Sequence, residues 1–404
     1  MSSGPSRVAR PWRTSKPRRG PIAPEPLLAA ARAWVDGGAR TSFDWLSLSA
    51  SARERLLATA ERERLVALLH AVTRRQPISR DVSDRLRSAW VLAERQHLLG
   101  VAQLGRLHSA FDRRGIPMIP LKGPALGEAL YGDPGVRPFT DLDLLVHRAD
   151  VERAVALLST LGYRHIAWDR TLDYELAHAT AACFVPRDTG PADLSVDLHW
   201  GLVSFPAGVT PRTIDAEEVW TRAVETERGD TRVLELCRED LLLYLGLHLA
   251  VHHPFVGHVW RLDIALLLCR HARDLDWASI VARAQRWRVR GALYFALRVV
   301  EEDLAIAAPA GALAELRPRG LRGDALERLA RHRDPMARFE HLVDLLLLDA
   351  GGDLLRAIAT SAAPTPGFVR GRYGTPSALR AYLAHYRRIG AIGLRAAQAI
   401  AGRH

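Results

Sequence analysis

The chain has 404 residues, 48% of them apolar and 25% charged, with a formal net charge of +11. That length and balance suit a soluble globular protein of two or three packed lobes and exclude a mostly disordered or fibrous chain. No apolar run approaches the roughly 20 residues of a membrane-spanning helix. The three cysteines, Cys183, Cys237 and Cys269, lie far apart without a CxxC pair. Neither a disulfide framework nor a zinc ribbon is indicated, and a reducing cytoplasmic location is expected.

Residues 1–22 read as a basic tail. Arg7, Arg10, Arg13, Lys16, Arg18 and Arg19 occur there without an acid, which leaves 50 basic against 45 acidic residues in the remainder. The tail is rich in Pro, Ser and Gly and is expected to be disordered, and it lacks the apolar segment of a secretory signal. Such tails touch phosphate polymers by counterion release, and a merely solvated tail accounts for it equally.

Residues 23–114 form an N-terminal helical region. Apolar residues recur at three- and four-residue steps from Ala52 to Val72 and again from Arg85 to Phe111, as a buried helix face requires. Pro77 separates the two runs, and Gly115 stands where a C-terminal glycine cap belongs.

From 115 to 230 the texture becomes that of an α/β unit. IPMIPL (116–121) predicts a short strand whose prolines place it at an edge or a strand start. PALGEALY predicts a helix with Pro124 in its first turn, and GDPG (132–135) a turn. DLDLLV (141–146) predicts a strand, 149–162 an amphipathic helix closed by Gly162, and 181–186 and 194–200 two further strands. A second helical region is expected over 231–350. Over 351–404 a loop is expected to lead into a basic amphipathic helix bearing Arg380, Arg387 and Arg388.

Alternation along a strand puts Asp141 and Asp143 on one face and Leu142, Leu144 and Val146 on the other. Two carboxylates on one face, next to a glycine loop, carry a high electrostatic cost unless a cation lies between them. Mg²⁺ prefers hard oxygen ligands and takes one or two carboxylates together with substrate phosphates. In SVDLHW, Asp197 and His199 share a face opposite Val196, Leu198 and Trp200. If this strand pairs beside DLDLLV, Asp197 completes a three-carboxylate site, as metal ligand or general base.

Lys122 and Gly123 precede Pro124 at a strand-to-helix junction, where backbone amides attract anions and a glycine admits a phosphate closely. Only two lysines, Lys16 and Lys122, occur beside 54 arginines, so Lys122 is the one lysine in the part expected to fold. It adds a point charge for a polyphosphate, and Arg137 a planar fork. The order lysine-glycine loop, DxD strand, distant aspartate strand suits the handling of a nucleoside triphosphate.

The pattern LKGPAL, a helix, YGDPGVRPFTDLDLLV, a helix ending LGY, then VDLHW resembles the uncharacterised nucleotidyltransferase family of bacterial proteins, within the superfamily that includes polymerase-beta-like enzymes. The resemblance covers Pro117 to Trp200 most closely and extends more loosely into the helices that follow. It implies an α+β fold, a small mixed β-sheet nucleotidyltransferase core flanked by N- and C-terminal helical regions. It also implies Mg²⁺-dependent transfer of a nucleoside monophosphate from an NTP such as ATP to an acceptor hydroxyl or phosphate. Asp141, Asp143 and Asp197 match the metal-binding acids, and Gly123 matches the phosphate-loop glycine. Pro124 departs from the superfamily pattern, which commonly has a second small residue there, and proline offers no N–H.

Other readings stand beside this one. His248, His252, His253 and His258 recur near Asp263, and His248 and His252 share a helix face, as zinc ligands can. Polar residues capping a buried helix explain them more simply, and contact with substrate from the helical region is a milder role. A catalytically degenerate binding or scaffold module would keep the fold without needing Mg²⁺ and NTP together. The acceptor is expected to be a small molecule, peptide or protein rather than nucleic acid.

Overall fold

The computed structural model describes residues 25–37, 43–166, 171–187, 193–203, 213–228, 231–330, 343 and 345–401. The basic tail lies outside them, as does part of the helical region expected over 231–350.

Four helices come first: α1 (Glu25–Val35), α2 (Ala50–Arg62), α3 (Val66–Thr73) and the 33-residue α4 (Arg80–Asp112). The Ser49 side chain caps α2 by accepting from the Ala52 N–H, which satisfies one of the orphan amides of the first turn. The gap between α3 and α4 holds Pro77, and Gly115 beyond α4 has a φ of +60°.

The sheet is five-stranded and mixed. Its strands are β1 (Ile119–Pro120), β2 (Asp141–Leu145), β3 (Tyr163–His165), β4 (Ala181–Pro186) and β5 (Ser195–His199), in the spatial order β1-β2-β5-β4-β3. β2 and β5 are parallel, and the other pairings are antiparallel. β1 is shorter than the expected 116–121 and sits at an edge, as its prolines require. The short helix α5 (Pro124–Leu126) leaves β1 and runs on as a π-turn, Gly127–Tyr131. α6 (Val151–Thr160) and α7 (Leu172–His178) lie between the later strands.

One face of this sheet is apolar. Leu142 and Leu144 of β2, Val196 and Leu198 of β5, and Ala182 and Phe184 of β4 pack with Leu107 and Phe111 of α4 and Leu157 and Leu158 of α6. Burying each of the larger side chains contributes about 2 kcal/mol. Because side chains alternate, this burial turns Asp141, Asp143, Asp197 and His199 to the opposite face.

That face looks onto helices. After α8 (Glu217–Trp220) and a hairpin of β6 (Val224–Arg228) and β7 (Thr231–Glu235), the chain forms α9 (Arg238–Leu247), which continues as a π-turn, His248–His252. α10 (His258–His271), α11 (Trp277–Arg286) and α12 (Arg290–Leu304) follow. The two helical regions, separate in sequence, share one apolar core. Leu27 and Ala30 of α1 and Leu68 and Leu69 of α3 are buried in the same cluster as Leu243 and Leu247 of α9, Ile264 of α10 and Phe295 of α12.

Two helices, Gly351–Ala362 and Pro366–Tyr373, occupy the stretch expected to be a loop before the last helix, Ala378–Ala401. The TPG sequence there is a helix start: Thr365 accepts from the Phe368 N–H and Pro366 occupies the first turn. No helix among the described residues is long and apolar enough to cross a membrane.

Candidate active site

Asp143 and Asp197 are register partners across β2 and β5. Asp141 lies two residues before Asp143 on the same face, opposite Ser195, and His199 lies two residues beyond Asp197, opposite Leu145. On the far side of β5, Cys183 of β4 is the register partner of Asp197, and burial and the Asp197 charge push its thiol up. One ligand atom each from Asp143, Asp197 and His199 lie within 4.8 Å of one another. This is the one group among the described residues with metal-ligand spacing.

The three carboxylates do not share one electrostatic state. Asp143 is buried, which by itself would favour the neutral acid, but its Oδ1 accepts from Lys122 Nζ at 3.0 Å and from His199 Nε2 at 3.1 Å. Those partners hold it well below the usual carboxylate range. Asp141 is pushed up to about 8 by burial and by the charges of Asp143 and Asp197. Asp197 is raised by burial and by Asp143. One carboxylate is neutralised and two are left crowded, a condition that a bound cation relieves.

The lysine-glycine loop is fixed beside these acids by its backbone. Gly123 has φ +70° and ψ −133°, a conformation open to glycine and costly for other residues. A Cβ on it would lie 3.3 Å from the Asp141 carbonyl oxygen, so the loop passes directly against β2.

Arg137 holds this loop from beneath. Its Nε and Nη2 donate to Asp263 Oδ1 and Oδ2, each at 2.8 Å, and its Nη1 donates to the Gly123 carbonyl at 3.3 Å. Arg137 and Asp263 are both buried, and the Tyr131 hydroxyl also donates to Asp263, at 2.8 Å. The sequence placed Arg137 on a triphosphate; the structure places its fork on Asp263 of α10, tying the loop to the helical layer.

The helical layer contributes groups that the strand motifs did not reveal. Lys122 Nζ lies 3.2 Å from His248 Nε2, and His253 Nε2 lies 3.0 Å from that same atom. An ammonium has no lone pair, so His248 Nε2 is the acceptor and the ring is the Nδ1–H tautomer. Burial and the Lys122 charge push His248 well below the usual imidazole range. His253 stacks on Trp260, with centroids 3.3 Å apart. Tyr244 is buried close to the acids; burial and the charges of Asp143, Asp141 and Asp197 raise its phenol. Its hydroxyl has no partner among the described residues. His258, the last of the expected histidine constellation, turns away to Glu63 at 2.9 Å. Alternation in SVDLHW was a signal for His199. Nothing in the sequence marked Tyr244.

The sequence pattern of the uncharacterised nucleotidyltransferase family matches residues 49–304, well over half of the chain. The chain belongs to that family. The matched span begins at the cap of α2 and ends with the last residue of α12. It therefore takes in both the sheet and the helices facing its acids. No curated protein and no solved structure matches the chain. The family points to transferase chemistry on an α+β fold, and the details of substrate rest on the site itself.

Proposed function

We propose that this nucleotidyltransferase moves a nucleoside monophosphate from an NTP to a hydroxyl or phosphate of an acceptor. The observation that carries the reading is the pairing of Asp143 with Asp197 across two strands, with Asp141 beside them and a glycine loop against the same strand. A bond forms between the acceptor oxygen and the α-phosphorus while the α–β bridging P–O bond breaks, and pyrophosphate leaves. Asp197, the register partner of Asp143, is the candidate general base for the acceptor proton.

Asp141, Asp143 and Asp197 would hold Mg²⁺, and the donor set fits a divalent cation: hard carboxylate oxygens with excess negative charge. The His199 imidazole widens that set toward softer first-row ions. Such an ion supplies charge neutralisation at the phosphates and the oxygens being joined and parted. Lys122 and Gly123 meet the triphosphate, and Arg137 supports them by fixing the Gly123 carbonyl. The acceptor is a small molecule, peptide or protein, and the protein works in the cytoplasm.

Paired incubations with α-labelled and γ-labelled NTP and a cell extract test the reading. It predicts that the α label enters an acceptor and the γ label leaves in pyrophosphate. Transfer of the γ label instead would overturn it.

A further inference from the structure

The ammonium of Lys122 lies where a cation is needed in this site. It sits 3.0 Å from Asp143 Oδ1 and 3.2 Å from His248 Nε2, and only 8% of the residue is exposed. Its two contacts differ in kind. Asp143 is a charged partner on the sheet, on the same face as Asp197 and His199; His248 is a neutral acceptor on the helical layer, itself steadied by His253. Arg137 Nη1 donates to the Gly123 carbonyl at 3.3 Å and anchors the backbone next to Lys122, whose charge rides on a flexible four-carbon stem.

We propose that Lys122 is a resident cation on Asp143 that yields its place to the divalent ion, with His248 as the acceptor that keeps the displaced ammonium in the site. This rests on the reading of the acids as a metal site. In the free protein Lys122 and the metal compete for Asp143. With nucleotide present the ammonium gains phosphate oxygens as partners, so nucleotide and metal each strengthen the binding of the other by the same factor. The arrangement keeps Asp143 ionised before loading and discourages metal binding without nucleotide.

Calorimetric titration with Mg²⁺ alone, and with Mg²⁺ in the presence of a non-hydrolysable NTP, tests the proposal. The wild type is expected to bind Mg²⁺ at least about tenfold more tightly with nucleotide than without. Lys122→Met is expected to bind Mg²⁺ alone more tightly than the wild type and to lose most of that coupling. His248→Leu removes the neutral acceptor and is expected to bind Mg²⁺ alone more weakly, while His248→Gln, which keeps an acceptor oxygen, restores it. The His248 pair separates the exchange from simple charge repulsion by Lys122, which His248→Leu would not alter. Unchanged Mg²⁺ affinity in His248→Leu, or no nucleotide coupling in the wild type, overturns the exchange and leaves the metal site standing. Absence of Mg²⁺ binding to the wild type under both conditions overturns the metal site and the exchange together.

Discussion

Asp143 and Asp197 stand at one register position of the parallel β2–β5 pairing, yet their carboxyls shift in opposite directions. Asp143 is held ionised by Lys122 and His199, and Asp197 is pushed toward its neutral form by burial and by Asp143. Asp143→Asn removes a charged ligand without changing volume and leaves an amide oxygen for Lys122. Metal-dependent transfer is expected to fall by more than about a hundredfold, since even outer partners of metal ligands are worth 10- to 100-fold. Circular dichroism should show the fold retained; a folded variant with full activity would contradict the assignment.

The raised carboxylates give metal-free stability a pH signature. Asp141, at about 8, still holds a proton between pH 6.5 and 8, where the unfolded chain has released it. The folded state therefore binds more protons, and stability falls as pH rises through that window, by on the order of 1 kcal/mol per pH unit. His248 and His253, lowered by burial and Lys122, act in the opposite sense as pH falls through the imidazole range, because the unfolded chain then binds their protons. Denaturant midpoints at fixed pH should fall from pH 6.5 to 8 without metal, and saturating Mg²⁺ should flatten that limb. A flat metal-free profile from 6.5 to 8 would contradict the crowding of the acids.

Arg137 is expected to report on stability before substrate binding. Arg137→Ala strands Asp263, fully buried at 0% exposure, and breaking a buried pair by removing one partner costs about 3–5 kcal/mol. Replacing both partners, as in Arg137→Met with Asp263→Leu, should recover part of that loss. Urea denaturation of the single and double variants measures it.

At Gly123 the backbone decides. Gly123→Ala forces a φ of +70° on a residue with a Cβ and brings that atom within 3.3 Å of the Asp141 carbonyl. A loss of about 1–3 kcal/mol in stability is expected, with weaker nucleotide binding because the loop shifts from β2. Thermal unfolding and nucleotide titration of one preparation separate the two effects.

Much of this site was legible because strand alternation is a strict code. DLDLLV and SVDLHW each state which residues share a face, and the apolar partners on the opposite face are those buried on α4 and α6. The lysine-glycine loop was legible through composition, since Lys122 stands out among arginines. Contacts between elements distant in the chain were not. Arg137 reads as a free fork until Asp263, 126 residues away, is placed beneath it. His248 reads as a helix cap or zinc ligand until the packing of α9 brings it to Lys122. β3 was missed because three residues, Tyr163–His165, are too short to show a period. The helices over 351–373 were hidden by Gly and Pro residues that start helices as readily as they form loops.

The proposed function requires the paired acids to bind nucleoside triphosphate together with a divalent ion. The measurement to make is calorimetric titration of each NTP into the protein, with and without Mg²⁺ and repeated with the double variant Asp141→Asn/Asp143→Asn. Magnesium-dependent binding of at least one NTP that disappears in the double variant is the result predicted. No binding of any NTP to the wild type, or binding indifferent to both Mg²⁺ and the two aspartates, would contradict it.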